Sequence, residues 1–160
     1  ITASKNSFVC GLAAPASITT DQLLVDTTGI LYDANFLGFY KTYADAGVVD
    51  GAYLEAGSTR QDGSTKTKLN ALHTFTASAT TYVKLGFRYR ASARKVEWFV
   101  NGVLAGNASA PARLTASECN ASTFPGATTD FLAPYVGIKD VAGDQACTLN
   151  IDWWACAQLL

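Results

Sequence analysis

The sequence predicts an all-β domain whose antiparallel strands pack as a sandwich. Apolar and polar residues alternate with a period of two over several short runs, which turn residues separate at intervals typical of such folds. An Asn-Gly pair stands between two of these runs. Only three of the thirteen acidic residues are Glu, and Thr, Ser, Ala and Gly are abundant, which argues against long helices. The length of 160 residues suits a single domain over 1–160.

The strongest strand pattern covers residues 82–105. In 82–90 the apolar side chains share one face and the basic side chains share the other: Val83, Leu85, Phe87 and Tyr89 against Lys84, Arg88 and Arg90. In 95–100 the alternation resumes, with Val96, Trp98 and Val100 on one face and Glu97 and Phe99 on the other. Asn101 and Gly102 both tolerate positive φ, so they predict a two-residue hairpin turn into a third strand.

Weaker patterns indicate further strands, at 18–25, 36–43, 52–56, 67–76, 135–139 and 148–157. The run at 36–43 is apolar on both faces at first, which suggests a central strand. Residues 106–130 are interpreted as a long loop with one short helical turn near 116–120. Leu114 and Phe124 are its two large apolar side chains. Their burial offsets too little of the backbone entropy that is lost when the loop becomes ordered. We therefore expect this loop to lie against another subunit or to fold over one face of the sandwich.

Composition argues against several classes of function. Twelve basic residues against thirteen acidic ones give a net charge of -1, so no nucleic-acid partner is expected. No apolar run is long enough to cross a bilayer, so no membrane partner is expected. His73 is the only histidine, and the sequence lacks a nucleophile elbow, a P-loop, a dinucleotide fingerprint and a zinc-protease motif. The loop with Asp140 and Asp144, even with Asp130 near, offers too few oxygen ligands for calcium. We expect no cofactor and no metal.

The four cysteines, Cys10, Cys119, Cys147 and Cys156, do not have the spacing of metal ligands. They are either buried thiols in a reduced compartment or two disulfides of a secreted domain. A core of this size does not need disulfides, which favours thiols.

Several motifs resemble those of the concanavalin A-like superfamily of lectin and laminin-G-like jelly rolls. The hairpin pair at 84–89 and 96–104 carries the resemblance, with support from 134–138 and from 149–154 at the end of the chain. The resemblance implies a jelly-roll sandwich in which the first and last strands pair, which would bring Cys10 and Cys156 close together. It also extends to small virion proteins of tailed bacteriophages, such as decoration, head-fibre and tail proteins.

The β-glucanases of this superfamily carry E-x-D-x-x-E or a close variant on one strand, and this chain has no such motif. Glu55 and Glu97 are the only cross-strand carboxylates left to consider. For Glu97 the plainer interpretation is a solvated carboxylate balanced by Lys84 or Arg88. We therefore expect no enzymatic activity and no catalytic residue.

The resemblance implies a non-enzymatic structural protein of a virion, a capsid decoration or head-surface protein of a tailed bacteriophage. Its partners would be the major capsid protein or further copies of itself, in an oligomeric arrangement on the capsid surface. The alternative is an extracellular or tail-associated carbohydrate-binding module. Trp153 and Trp154 are adjacent and would face opposite sides of a last strand, one of them in the core. The residues expected to contact a glycan or a partner are Phe99, Trp154, Tyr40, Leu114 and Phe124.

Overall fold

The computed structural model describes residues 6–15, 34–41, 53–60, 64–74, 82–105, 113–120, 124–125, 131–140 and 149–157. In this part of the chain nearly all regular structure is β, in two antiparallel sheets, with a short 3-10 turn at Ala91–Ala93. The prediction of an all-β fold is confirmed. In chain order the strands are β1 Asn6–Ala13, β2 Phe36–Lys41, β3 Tyr53–Arg60, β4 Ser64–Thr74, β5 Leu85–Arg90, β6 Lys95–Val100, β7 Val103–Leu104, β8 Arg113–Leu114 and β9 Ala133–Asp140.

The larger sheet has five strands in the order β4-β3-β2-β1-β9. The middle strand, β2, is buried on both faces, as its continuous apolar sequence predicts. Leu37 and Phe39 point to one side, and Phe36 and Tyr40 point to the other, where Tyr135 of β9 also packs. The expectation of a central strand here is confirmed.

The smaller sheet is built around β6. Strand β5 pairs with β6 along its whole length, from Leu85 opposite Val100 to Arg90 opposite Lys95. Since β5 occupies one edge of β6, the two short strands follow each other on the other edge, with β7 beside Phe99 and Val100 and β8 beside Val96 and Glu97. This arrangement decides which side chains reach the outer surface of the sheet.

One hydrophobic core contains residues of both sheets. Trp98 and Val96 of β6 are fully buried together with Leu114 of β8 and Leu54 of β3. The remaining buried members of the cluster are Phe8, Leu37, Phe39, Ala56, Ala105, Cys119 and Phe124. Because side chains of a strand alternate between its faces, the residues between these core positions in β5 and β6 lie on the outer face of the smaller sheet.

The turn between β6 and β7 is the predicted hairpin. Asn101 and Gly102 have φ of 53° and 80°, and Val100 pairs with Val103 across the two-residue loop. The Asn101 side chain adds a further link, because its Oδ1 accepts a hydrogen bond of 3.0 Å from the Lys84 amide. This prediction is confirmed.

The predicted last strand is wrong for the residues that the structure describes. Residues 149–157 form no strand, and neither tryptophan enters the core, since Trp153 and Trp154 are each 65% exposed. Leu149 packs against the core, whereas Ile151 beyond it is exposed. The alternating pattern is present, but no neighbouring strand in the described part of the chain pairs with it.

Other predicted boundaries also differ from the structure. The strand expected at 52–56 continues to Arg60, and the one expected at 67–76 begins at Ser64. The predicted loop at 106–130 contains the two-residue strand β8, followed by a single turn in which the Cys119 amide bonds to the Thr115 carbonyl oxygen at 2.9 Å. The predicted strand at 18–25 lies outside the described residues.

Candidate functional site

Charged side chains, one aromatic ring and a glycine lie together on the outer face of the smaller sheet. We call it the arginine face and define it by Gly86, Arg88 and Arg90 of β5, Glu97 and Phe99 of β6, and Arg113 of β8. Strand alternation places the β5 and β6 members there, opposite the core positions of the same strands. The face therefore follows from the same period-two pattern that predicts the core.

Glu97 lies at the centre of the arginine face and contacts three guanidinium groups. Arg88 donates two hydrogen bonds to Glu97 Oε2, of 2.7 Å from Nη2 and 3.2 Å from Nε. Arg90 Nε lies 3.4 Å from the same oxygen, and Arg113 Nε lies 3.8 Å from Oε1. The Glu97 side chain is only 14% exposed, whereas the three arginines are each about half exposed. The expectation that Arg88 balances Glu97 is confirmed.

Glu97 stays ionised in this environment. The Arg88 hydrogen bond is the largest influence and lowers the pKa of Glu97, and the charges of Arg90, Arg88 and Arg113 lower it further against the opposing effect of burial. A carboxylate held in this form accepts hydrogen bonds, and it is poorly suited to donate a proton as a general acid near neutral pH.

Phe99 and Gly86 form the less polar part of the arginine face. They are directly opposite each other in the β5–β6 register, and the Arg88 guanidinium carbon lies 5.6 Å from the centre of the Phe99 ring. A Cβ atom added at Gly86 would have no neighbour within 4 Å, so the space above this glycine is open. The partly exposed aromatic ring therefore borders an open surface with hydrogen-bonding groups next to it.

Arg113 reaches this face because its neighbour is buried. Leu114 inserts fully into the core, so the preceding side chain of the two-residue strand points outward. The following turn is stabilised by Glu118, whose Oε2 accepts hydrogen bonds of 2.9 Å from the Thr115 amide and 2.7 Å from the Thr115 hydroxyl. Arg94, in the left-handed conformation, donates to the Cys119 carbonyl oxygen and ties this segment to the β5–β6 connection.

Sequence reasoning did not identify Arg90 and Arg113 as site residues. Arg113 belongs to a two-residue strand, which is too short for a recognisable period. For Arg90 a signal was present: it occupies the same face as Arg88 in the predicted strand, two residues along from it. What the sequence did not show is that both side chains converge on Glu97.

The five predicted contact residues do not form one site. Tyr40, Leu114 and Phe124 are buried inside their own chain, so they offer no surface to a ligand in this structure. Phe99 is partly exposed on the arginine face, and Trp154 is exposed in the residues after Leu149. We call residues 149–157 the C-terminal segment; its exposed large apolar side chains are Ile151, Trp153 and Trp154.

The cysteines in the described part of the chain are free thiols. Cys10, Cys119 and Cys156 form no disulfide, and Cys147 lies outside the described residues. Desolvation raises the pKa of Cys10 to about 12. Cys10 is opposite Phe39 and Val136 in the neighbouring strands, whereas Cys156 lies in the C-terminal segment, outside the sheet.

No group of three or more His, Cys, Asp or Glu side chains in the described ranges is arranged to hold a metal ion. Asp130 and Asp144 lie outside these ranges. The described part of the chain contains no helix that is long and apolar enough to cross a membrane.

Comparison of the chain with models of protein families, with curated proteins and with solved structures finds no match. The arginine face and the C-terminal segment are therefore the surfaces from which function is inferred.

Proposed function

We propose that the chain is a non-enzymatic structural protein of a virion, a capsid decoration or head-surface protein of a tailed bacteriophage. The observation that carries this proposal is the C-terminal segment, which presents Trp153 and Trp154 to solvent, each of them 65% exposed. Large apolar side chains grouped on a surface mark a site of protein association. A decoration protein needs such a surface to hold its place in an assembly.

The proposed fold is the concanavalin A-like jelly roll. Two features support it: two antiparallel sheets with a shared core, and the hairpin motifs at 84–89 and 96–104, which fall on β5, β6 and β7. Folds of this kind serve many functions, so the fold agrees with the virion assignment but does not by itself indicate it.

The partner that the C-terminal segment fits best is β9 of a second copy. Within the described residues β9 pairs only with β1, so no described strand covers its other edge, and its Val136 is exposed. The C-terminal segment keeps a strand-type alternation from Leu149 to Trp153 without a strand partner. An extended segment adds readily to an open strand edge, where main-chain hydrogen bonds hold it. Neighbouring copies would thereby be joined on the capsid surface.

The virion assignment is tested by locating the chain. Phage particles from the culture that carries the gene are purified on a density gradient and labelled with gold-conjugated antibody against the chain. We expect label on the heads of intact particles. Chain found only in fractions without particles would contradict the assignment.

The attachment surface is tested by sedimentation of the full chain over a range of concentrations. The wild-type chain should self-associate, and the double variant Trp153→Ser, Trp154→Ser should be monomeric. Val103→Ser is the matched control, because Val103 is 69% exposed but lies on the smaller sheet. A monomeric wild-type chain, or equal effects of the control and the double variant, would contradict the proposed contact.

A second candidate function is carbohydrate binding, and the arginine face favours it. Phe99 borders the open space above Gly86, with Arg88 and Glu97 beside it. An aromatic ring next to a few fixed polar groups is the usual composition of a sugar-binding surface. Titration with an oligosaccharide panel, followed by amide chemical shifts, tests it. Shifts on β5 and β6 that disappear in Phe99→Ala are expected, and a panel without shifts would contradict it.

A further inference from the structure

The charge of the arginine face is unbalanced. Three guanidinium groups surround the single carboxylate of Glu97, which leaves a net charge of +2 on these four side chains. The whole chain, by contrast, has a net charge of -1. The excess of positive charge is therefore local to one side of the smaller sheet.

The three arginines differ in how closely they interact with Glu97. Arg88 donates two hydrogen bonds to Glu97 and lies against Phe99, so its position is fixed. Arg90 and Arg113 lie at ion-pair distances of 3.4 Å and 3.8 Å from Glu97, and their side chains are 50% and 43% exposed. A guanidinium group has five N–H donors in a fork that matches a carboxylate or a sulfate. These two side chains therefore have donors available for an anionic group.

Glu97 argues for a ligand that also donates hydrogen bonds. Its Oε2 is occupied by Arg88, whereas its Oε1 accepts no hydrogen bond from the described residues. A sugar hydroxyl can donate to this oxygen. A DNA backbone offers only acceptors at its phosphates, so it has nothing to donate to this oxygen.

We propose that the arginine face binds an acidic saccharide, with its carboxylate or sulfate on Arg90 and Arg113 and its ring over Gly86 beside Phe99. This inference rests on the second candidate function, carbohydrate binding, and names its ligand class. The virion assignment does not depend on it.

The test is a titration of the full chain with oligogalacturonate, dextran sulfate and neutral dextran, at low and at physiological salt. We expect saturable binding of at least one acidic saccharide, weaker at higher salt, and no comparable binding of neutral dextran. Arg90→Ala should weaken this binding by about tenfold or more, because it removes a charge-assisted contact.

Two further variants separate a built site from diffuse attraction. Gly86→Val fills the open space without changing charge and should also weaken binding by about tenfold. Lys66→Ala is the matched control: Lys66 lies in β4 of the larger sheet, so the variant removes a positive charge outside the proposed contact. It should change the dissociation constant by less than about threefold. Thermal melts confirm that each variant is folded.

The outcomes distinguish the two claims. Equal effects of Lys66→Ala and Arg90→Ala would overturn the proposed site in favour of diffuse electrostatics. Binding of neutral dextran as tight as that of the acidic saccharides would overturn the ligand class while leaving carbohydrate binding intact. Absence of binding by any saccharide would overturn both. Tighter binding of an oligothymidylate than of either acidic saccharide would show a nucleic-acid surface instead.

Discussion

At the scale of single residues, Gly38 of β2 lies directly opposite Gly11 of β1 and has no room for a side chain. A Cβ atom on Gly38 would meet the Cys10 carbonyl oxygen and would lie 2.7 Å from Gly11 Cα. Both neighbours are backbone atoms, so a side chain fits only if the strands separate. We expect Gly38→Ala to cost about 2–4 kcal/mol or to prevent folding.

Gly86→Ala is the control, because a Cβ there meets nothing within 4 Å. It should change the free energy of unfolding by less than about 1 kcal/mol, which urea denaturation measures. Equal stability of Gly38→Ala and the wild-type chain would show that β1 and β2 are not in such close contact.

The ion pairs of Glu97 make stability depend on acid pH. The pKa of Glu97 is lowered in the folded chain from its ordinary value of 4.5, chiefly by the Arg88 hydrogen bond. The resulting stability is present above the unfolded pKa and is lost as pH falls through the lower folded pKa. At neutral pH we expect Glu97→Gln to cost about 1–2 kcal/mol.

Urea denaturation from pH 7 to pH 2.5 measures this dependence. The difference between wild type and Glu97→Gln should shrink as pH falls below about 4.5 and through the lower folded pKa, since the carboxyl is neutral in both states only below the folded pKa. A difference that stays constant over this range would mean that the ion pairs contribute nothing.

The thiols should differ in reactivity. Burial raises the pKa of Cys10 to about 12, whereas Cys156 is exposed. Because the thiolate is the reactive form, iodoacetamide at pH 8 should modify Cys156 well before Cys10 in the native chain, as peptide mass spectrometry reports. Equal rates at both sites without denaturant would contradict the desolvation of the partly buried Cys10 in the larger sheet.

At the scale of elements, the hairpin turn depends on backbone conformation rather than on space. A Cβ at Gly102 would meet nothing within 4 Å, as at Gly86, but Gly102 has φ of 80°. Gly102→Ala should therefore cost about 1–2 kcal/mol more than Gly86→Ala, since the left-handed region disfavours a side chain. Equal unfolding free energies for the two variants would argue against the two-residue turn.

The elements that sequence predicts well are those whose signal is local. The hairpins of β5, β6 and β7 combine strict alternation with Asn101-Gly102, and β2 is recognisable because both of its faces are apolar. The arginine face was predictable in part, since Glu97 and Arg88 lie on the outer side of adjacent predicted strands. These inferences need no knowledge of distant segments.

The elements that sequence predicts poorly depend on distant partners. Strand β8 exists because Leu114 docks in the core and its backbone meets β6, and neither contact leaves a pattern in a two-residue strand. The C-terminal segment shows the converse. Its alternation is that of a strand, but no strand in the described part of the chain pairs with it.

At the scale of the whole molecule, the two sheets share one core. Two different surfaces, one charged and one apolar, lie on different elements of the chain. The arginine face belongs to the smaller sheet, and the apolar side chains Ile151, Trp153 and Trp154 belong to the C-terminal segment. A chain of this kind can attach through one surface and leave the other accessible. This division suits a protein that decorates a particle and presents a binding face outward.

Attachment through the C-terminal segment is tested most directly by hydrogen–deuterium exchange on purified phage particles and on the free chain. We predict fast exchange at residues 149–157 in the free chain, at a concentration where it is monomeric, and strong protection on the particle, with the β5 and β6 amides unchanged. Equal exchange of 149–157 in both states would contradict attachment through this segment.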